Sequence, residues 1–163
     1  MLKHLHISNL AIIDHLDLEF GTGMTVFTGE TGAGKSILID ALGLVLGDRA
    51  DTNVKRSDKE RVEIIAAFDI SDIPDVAKLL QEQAIIVEDD ELILRRIINT
   101  DGRSRALVNS SQVPLQTLRT LGNYLVDIHG QHEHQSLMNR KIQRNLLDNF
   151  AGHDKFLKDV RQA

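Results

Sequence analysis

The alternation of apolar and polar residues predicts two β-strands at the start of the chain. Residues 2–8 and 16–20 have this pattern, and period-two alternation is typical of a strand with one buried face. Glycines at 21 and 23 predict a turn, and residues 24–27 form a short β-prone run. Two strands therefore precede this run, which predicts a small antiparallel layer.

The middle of the chain predicts a β-meander that is interrupted by helices. A short helix is predicted at 74–83 and a second at 113–121, where apolar residues recur with helical spacing. Turns are predicted at the acidic run 88–91 and at 100–102. The predicted strands are 62–70, 84–87, 92–98, 105–109 and a buried strand at 124–128.

The last segment is helical by pattern. Apolar residues share one face from residue 142 to 150, Gly152 interrupts them, and the stripe is still running at residue 163. We therefore expect two parts, a lobe over residues 1–140 and a helix over 141–163. We also expect this helix to lead into a coiled coil in a chain that continues further.

Composition limits the class of protein. The chain has 163 residues, of which 42% are hydrophobic and 26% charged, and this is ordinary for a globular domain. The sequence contains no cysteine, no secretion signal and no long apolar run, so we expect a cytoplasmic protein with no membrane partner. With a net charge of −5, any contact with DNA must come from a local patch.

The run 29–36, GETGAGKS, matches the phosphate-loop pattern G-x-x-x-x-G-K-[ST]. Its glycines allow backbone N–H groups to point at an anion, and the predicted helix 36–46 directs its positive end at the same place. We expect Lys35 to contact the β- and γ-phosphates of ATP and Ser36 to coordinate Mg²⁺. The candidate nucleotide-binding residues here are Gly29, Glu30, Thr31, Gly32, Ala33, Gly34, Lys35, Ser36 and Ile37.

An ATPase also needs an acidic residue that holds the magnesium ion. Residues 85–90 offer an apolar run followed by acids. The apolar pattern resumes at residue 92, as though along a hairpin, and this favours a solvated turn over a metal site. No L-S-G-G-type run is present, so the sequence contains half of an ATP site.

Four segments together resemble the N-terminal ATPase segment of the RecN family of bacterial DNA repair proteins. They are 3–10, 29–36 with 40–42 behind it, the hairpin 95–109, and 127–135 with the sequence DIHGQHEHQ. This family is similar to the SMC proteins, whose heads are ABC-type ATPases split by a long coiled coil. The resemblance implies an α/β P-loop NTPase fold of the ABC/SMC head type. For this N-terminal lobe it implies a mixed β-sheet with an antiparallel β-layer and flanking helices.

The resemblance also implies roles for single residues. Gln131 looks like the Q-loop glutamine, which contacts Mg²⁺ and senses the γ-phosphate, so it joins Lys35 as a catalytic candidate and Ser36 as a metal ligand. Arg56 resembles the head arginine near the nucleotide. Asn9 sits where SMC-like heads approach the nucleotide.

The family's signature motif, Walker B acid and switch histidine have no counterpart in these residues. The resemblance therefore implies that the C-terminal half of the same head is a partner and that this chain alone has little turnover. In the whole protein it implies a homodimer of heads that sandwich ATP, DNA as a partner, and a nucleoid-associated location. The implied function is ATP hydrolysis in recombinational repair of double-strand breaks, within the SOS response to DNA damage. The alternatives are a nucleotide-binding regulatory module without turnover and a P-loop phosphotransferase.

Two side-chain clusters and one buried acid have plainer interpretations. Histidines 129, 132 and 134 do not have the spacing of a known zinc motif, so a loop beside the nucleotide is favoured over a metal site. Arginines 95, 96, 103 and 105 could contact DNA phosphates, but an ordinary salt-bridged hairpin is favoured. Asp40 lies in an apolar helical run, which predicts a buried and paired carboxylate.

Overall fold

The computed structural model describes residues 1–29, 34–50, 61–99, 101–126, 128, 144, 147–148, 150–153, 156 and 160. The chain divides into two compact units, residues 1–127 and 128–163. In the described part of the first unit the elements are β1 (Leu2–Leu10), β2 (Ile13–Glu19), α1 (Lys35–Val45), β3 (Arg61–Asp69), α2 (Pro74–Glu82), β4 (Glu91–Asn99), β5 (Ser104–Val108), β6 (Ser111–Val113) and α3 (Leu115–Leu125).

The six strands form one sheet in the order β2-β1-β3-β4-β5-β6, and every neighbouring pair is antiparallel. In the register of β3 and β4, Ile64 lies opposite Arg96 and Phe68 opposite Leu92. Helix α1 contacts β1, β3 and β4, and α3 contacts β5. The core residues Ile7, Ile64 and Phe68 are fully buried, as expected for alternating strands with one packed face.

Two glycines allow α3 to lie against the end of α1. Gly47 follows α1 with a φ of +108°, and a Cβ atom there would lie 2.6 Å from Arg119 Cγ and 2.8 Å from the Arg119 backbone nitrogen. A Cβ atom on Gly122 would lie 3.1 Å from the carbonyl oxygen of Leu46. Arg119 Nε also donates to the Gly47 carbonyl at 2.7 Å. The contact between the two helices therefore depends on the absence of side chains at these positions.

A small polar cluster ties the end of β3 to β1. The Ser71 hydroxyl and backbone N–H donate to Asp69 at 2.6 and 3.1 Å, and Lys3 Nζ lies 3.2 Å from the same carboxylate. These hydrogen bonds, those from Ser71 first and that from Lys3 next, hold the pKa of Asp69 well below its usual value. The carboxylate is therefore ionised at neutral pH.

Most of the predicted elements are confirmed within a few residues. These are the strands at 2–8, 16–20, 62–70, 92–98 and 105–109 and the helices at 36–46, 74–83 and 113–121. Residues 84–87 are not a strand, since only an isolated bridge joins Glu88 to Glu91 there.

The buried strand predicted at 124–128 is wrong. Leu118, Leu121 and Leu125 continue the helical spacing, and α3 runs to Leu125 before the backbone becomes extended at Val126. Leu118 and Leu121 are completely buried, so tertiary packing of this face favours the helix over the strand that a short apolar run also permits.

The sheet of the described residues is antiparallel, whereas a mixed sheet was predicted. Parallel pairing needs a strand that returns after a crossover connection. The run 24–27 is not a strand in the structure, and 124–125 is helical, so neither segment supplies such a strand.

In the second unit, the described residues from 144 to 150 are helical, and the Ala151 N–H donates to the Leu147 carbonyl at 3.0 Å. Gly152, with a φ of +66°, interrupts the helix. The boundary at residue 140 and the coiled coil stay predictions. Across the described ranges, no helix has the length and apolar character needed to span a membrane.

Candidate nucleotide-binding site

Helix α1 begins directly at the phosphate-loop lysine. Its N-cap residue is Gly34, with φ and ψ of 90° and −1°, a left-handed conformation that favours glycine. A Cβ atom at this position would have no described atom within 4 Å. Glycine is therefore required here by the backbone conformation, and the space above it is open.

The amino end of α1 suits an anion. Among the described residues, no side chain caps this end and no acidic residue occupies its first turn. The first intrahelical bond runs from the Leu38 N–H to the Gly34 carbonyl at 3.3 Å. Because the first N–H groups of a helix lack partners within the helix and carry its positive dipole end, a phosphate group fits here.

Lys35 contacts the first residue of the phosphate loop. Its Nζ atom donates to the carbonyl of Gly29, so the first and seventh residues of the phosphate loop are joined across it. Ser36 is exposed beside it, and Ile37 is half-buried. A positive charge and a hydroxyl group thus lie at the amino end of the helix, as the sequence predicts.

An apolar groove lies beside α1. It is a cavity of about 460 Å³ whose lining includes Lys35 together with Phe20, Val26, Phe27 and Ile39. The rings of Phe20 and Phe27 meet edge to face with centroids 6.2 Å apart. Val26 and Ile39 keep 69% and 52% of their surface exposed. Such a cluster of exposed apolar side chains is typical of a surface that another segment covers.

Asn9 has a scaffold contact. It is the next-to-last residue of β1 and has a φ of +59°. Its Nδ2 atom donates to the backbone carbonyl of Arg61 at 3.2 Å. Its proposed contact with the nucleotide stays a prediction. The other predicted site residues lie outside the described residues: Glu30, Thr31, Gly32, Ala33, Arg56 and Gln131, as do the histidines at 129, 132 and 134.

The acidic run before β4 forms a turn, as the sequence favours. Asp89 and Asp90 have φ values of +51° and +55°, and both are exposed. The Asp90 carbonyl accepts a hydrogen bond from the Ile70 N–H at 2.9 Å. This run is therefore a solvated turn that leads into β4.

Three of the four arginines of the hairpin have polar partners, whereas Arg105 is exposed. Arg95 Nη2 lies 2.5 Å from Glu63 Oε1. Arg103 Nε lies 3.6 Å from Asp101 Oδ2. Arg96 is 2% exposed and donates to the Ser104 hydroxyl at 2.9 Å. Burial, and then the charge of Arg119, lowers the pKa of Arg96. The salt-bridged hairpin is thus the better interpretation.

Asp40 is exposed on α1, so the prediction that it is buried is wrong. It lies on the same helix as Ile39, which is also exposed. Several hydrophobic residues of the apolar run 36–46 are not buried in the first unit. Only Ala41, Gly43, Leu44 and Val45 of α1 are buried.

Comparison with known proteins identifies related sequences and folds. The model of a family described as AAA domain matches residues 4–161. The DNA repair protein RecN of Vibrio cholerae is 50% identical over 163 residues, which are all of this chain and 29% of that protein. The chain thus spans less than a third of this curated relative. The resemblance to the N-terminal ATPase segment of RecN is confirmed.

Solved structures show the same fold. The Smc head domain of Pyrococcus yayanosii, with a coiled coil and joint, superposes with a TM-score of 0.68 at 17% identity, over 99% of this chain and 35% of that one. A structure from work on ATP-driven dimerisation and DNA-stimulated activation of SMC ATPases gives 0.64 at 18% identity, over 91% and 98%. The predicted fold class, the N-terminal lobe of an SMC-type P-loop head, is confirmed.

Proposed function

Because the chain belongs to the AAA domain family, we propose that it binds ATP at the amino end of α1, as one part of an ATPase that acts in DNA repair. The observation that carries this proposal is the start of α1, which no described side chain caps and where Lys35 and Ser36 follow the left-handed Gly34. The relative named RecN supports the repair role, since half of the residues are identical.

The chemistry of the site follows from these groups. Backbone N–H groups of the first helical turn donate to phosphate oxygens, and the Lys35 ammonium neutralises charge on the β- and γ-phosphates. The Ser36 hydroxyl would supply one oxygen to Mg²⁺, and the resemblance implies a Mg²⁺ contact for Gln131 as well. When bound, Mg²⁺ supplies charge stabilisation of the triphosphate.

Turnover needs groups from outside this chain. The acids that follow the apolar run at 85–87, residues 88–91, lie at an exposed turn in the described part. We therefore propose that the chain alone hydrolyses little ATP and that the rest of the protein supplies the acid and the signature motif.

The apolar groove beside α1 is a candidate contact surface for the rest of the protein. Its lining is apolar, and Val26 and Ile39 are exposed, while the relative is more than three times as long as the chain. We propose that the C-terminal half of the same head covers this groove. In the whole protein two heads sandwich ATP, DNA is the partner of the complete molecule, and the location is cytoplasmic and nucleoid-associated.

The deciding experiment measures ATP binding by calorimetry on the wild type and on Lys35→Ala. Loss of a charge-assisted contact to phosphate lowers the affinity at least about 100-fold. Lys78→Ala is the matched control, because Lys78 is an exposed lysine on α2, and it keeps the wild-type affinity. Normal ATP affinity in Lys35→Ala refutes the proposal.

A single-turnover measurement then separates the ATPase from its alternatives. We expect hydrolysis by the full-length protein and almost none by residues 1–163. If the full-length protein binds ATP without hydrolysing it, the site is regulatory. If the γ-phosphate moves to a metabolite, the protein is a phosphotransferase.

A further inference from the structure

Three imidazole groups surround one carboxylate on the β1–β2 pair. Strand pairing places His6 directly opposite Asp17. His15 lies two residues before Asp17 on β2 and His4 two residues before His6 on β1, so all four side chains lie on one face of the sheet. This cluster is separate from the phosphate loop.

The distances bring ligand atoms together. Asp17 Oδ1 lies 2.8 Å from His6 Nδ1 and 3.3 Å from His4 Nε2. Asp17 Oδ2 lies 2.6 Å from His15 Nε2. The ligand atoms of His6, His15 and Asp17 all lie within 4.8 Å of one another, so small side-chain rotations would bring them to the spacing of about 3.3 Å that ligands have around a tetrahedral zinc ion.

The chemistry of the donor set fits a metal better than a simple ion pair. The rings of His6 and His15 meet edge to face with centroids 4.8 Å apart, and each ring presents a nitrogen atom to the Asp17 carboxylate. One carboxylate and two imidazole groups are good ligands for zinc.

We propose that His6, His15 and Asp17 bind a divalent transition-metal ion, and that zinc is its chemical match. The fourth position belongs to water, since His15 and Asp17 keep 64% and 46% of their side chains exposed. Bound there, the ion joins edge strand β2 to β1. The two strands hold the ligands in register, so little ordering is needed for binding.

The test is zinc binding to the metal-free chain, measured by competition with a chromogenic chelator. We expect one zinc ion that His15→Ala and Asp17→Asn each weaken by about tenfold or more. The His15 side chain is mostly exposed, and asparagine has nearly the same shape as aspartate. We therefore expect both variants to fold. His153→Ala is the matched control, since His153 Nδ1 also lies 3.4 Å from a carboxylate, that of Asp148, and it leaves this zinc affinity unchanged.

A second readout is thermal. Zinc at about 100 times the wild-type dissociation constant raises the Tm of the wild type by about 5 °C and that of His15→Ala by about half as much or less. ATP affinity is unchanged in both variants, so this test is independent of the nucleotide site. The proposal is overturned if the chain binds no zinc, or if zinc binding survives both His15→Ala and Asp17→Asn, as it would if another histidine cluster held the ion.

Discussion

The two ends of helix α1 are opposites. Each is flanked by a glycine with positive φ, Gly34 at +90° and Gly47 at +108°. Above Gly34 a Cβ atom would meet no described neighbour within 4 Å, whereas above Gly47 it would collide with Arg119. The same residue type therefore serves an open site at one end and a close helix contact at the other.

The carboxyl end of α1 is packed against residues of this chain, whereas the amino end is open to other groups in the described part. At the carboxyl end, Arg119 donates to the Gly47 carbonyl, and Leu46 is buried beneath α3. At the amino end, the helix has no described cap and the neighbouring Val26 is exposed. At the carboxyl end, residues of this chain complete the packing, while the amino end is the proposed site for a ligand and for further protein.

The largest expected effect is on stability at the closed end. Gly47→Ala adds backbone strain and a clash with the backbone of α3, so we expect it to lower the free energy of unfolding by about 3 kcal/mol or more. Urea unfolding measures this change. Gly102→Ala is the control, because Gly102 has a φ of +81° with open space above it, and it should lose about 1 kcal/mol from strain alone. Equal losses for the two variants would contradict the close contact.

At the open end, the same substitution acts mainly on binding. Gly34→Ala meets strain without a clash, so the free energy of unfolding falls by about 1 kcal/mol, as in Gly102→Ala. Since Gly34 precedes the proposed phosphate site at the start of α1, we expect ATP affinity to fall about tenfold or more in calorimetry. Gly102→Ala keeps its ATP affinity. If both variants bind ATP normally, the loop does not hold the nucleotide.

Local patterns were enough to predict much of the fold. Period-two alternation located β1 and β2, and the apolar run at 36–46 located α1, because burial leaves these signals in a single segment. The phosphate-loop pattern likewise located Gly34 and Lys35 at the start of α1. These features depend on residues that are close in sequence.

Features that depend on distant residues were missed. The role of Gly47 depends on Arg119, which is 72 residues away, and the histidine cluster exists only because β1 pairs with β2. The apolar run at 124–128 was compatible with both a strand and a helix, and packing of Leu118 and Leu121 decided for the helix. Sequence patterns report the conformational preference of one segment, whereas these features depend on its contacts with segments that are distant in sequence.

The smallest structural effect sharpens the contrast between the two ends. Ser36 is exposed in the first turn of α1, so Ser36→Ala should change the free energy of unfolding by no more than about 0.5 kcal/mol. Its hydroxyl is one of the proposed Mg²⁺ ligands, so magnesium should strengthen ATP binding less in the variant than in the wild type. Ser36→Thr keeps the hydroxyl group and should restore the full effect. A magnesium effect in Ser36→Ala as large as in the wild type would show that this hydroxyl group is not a ligand of the ion.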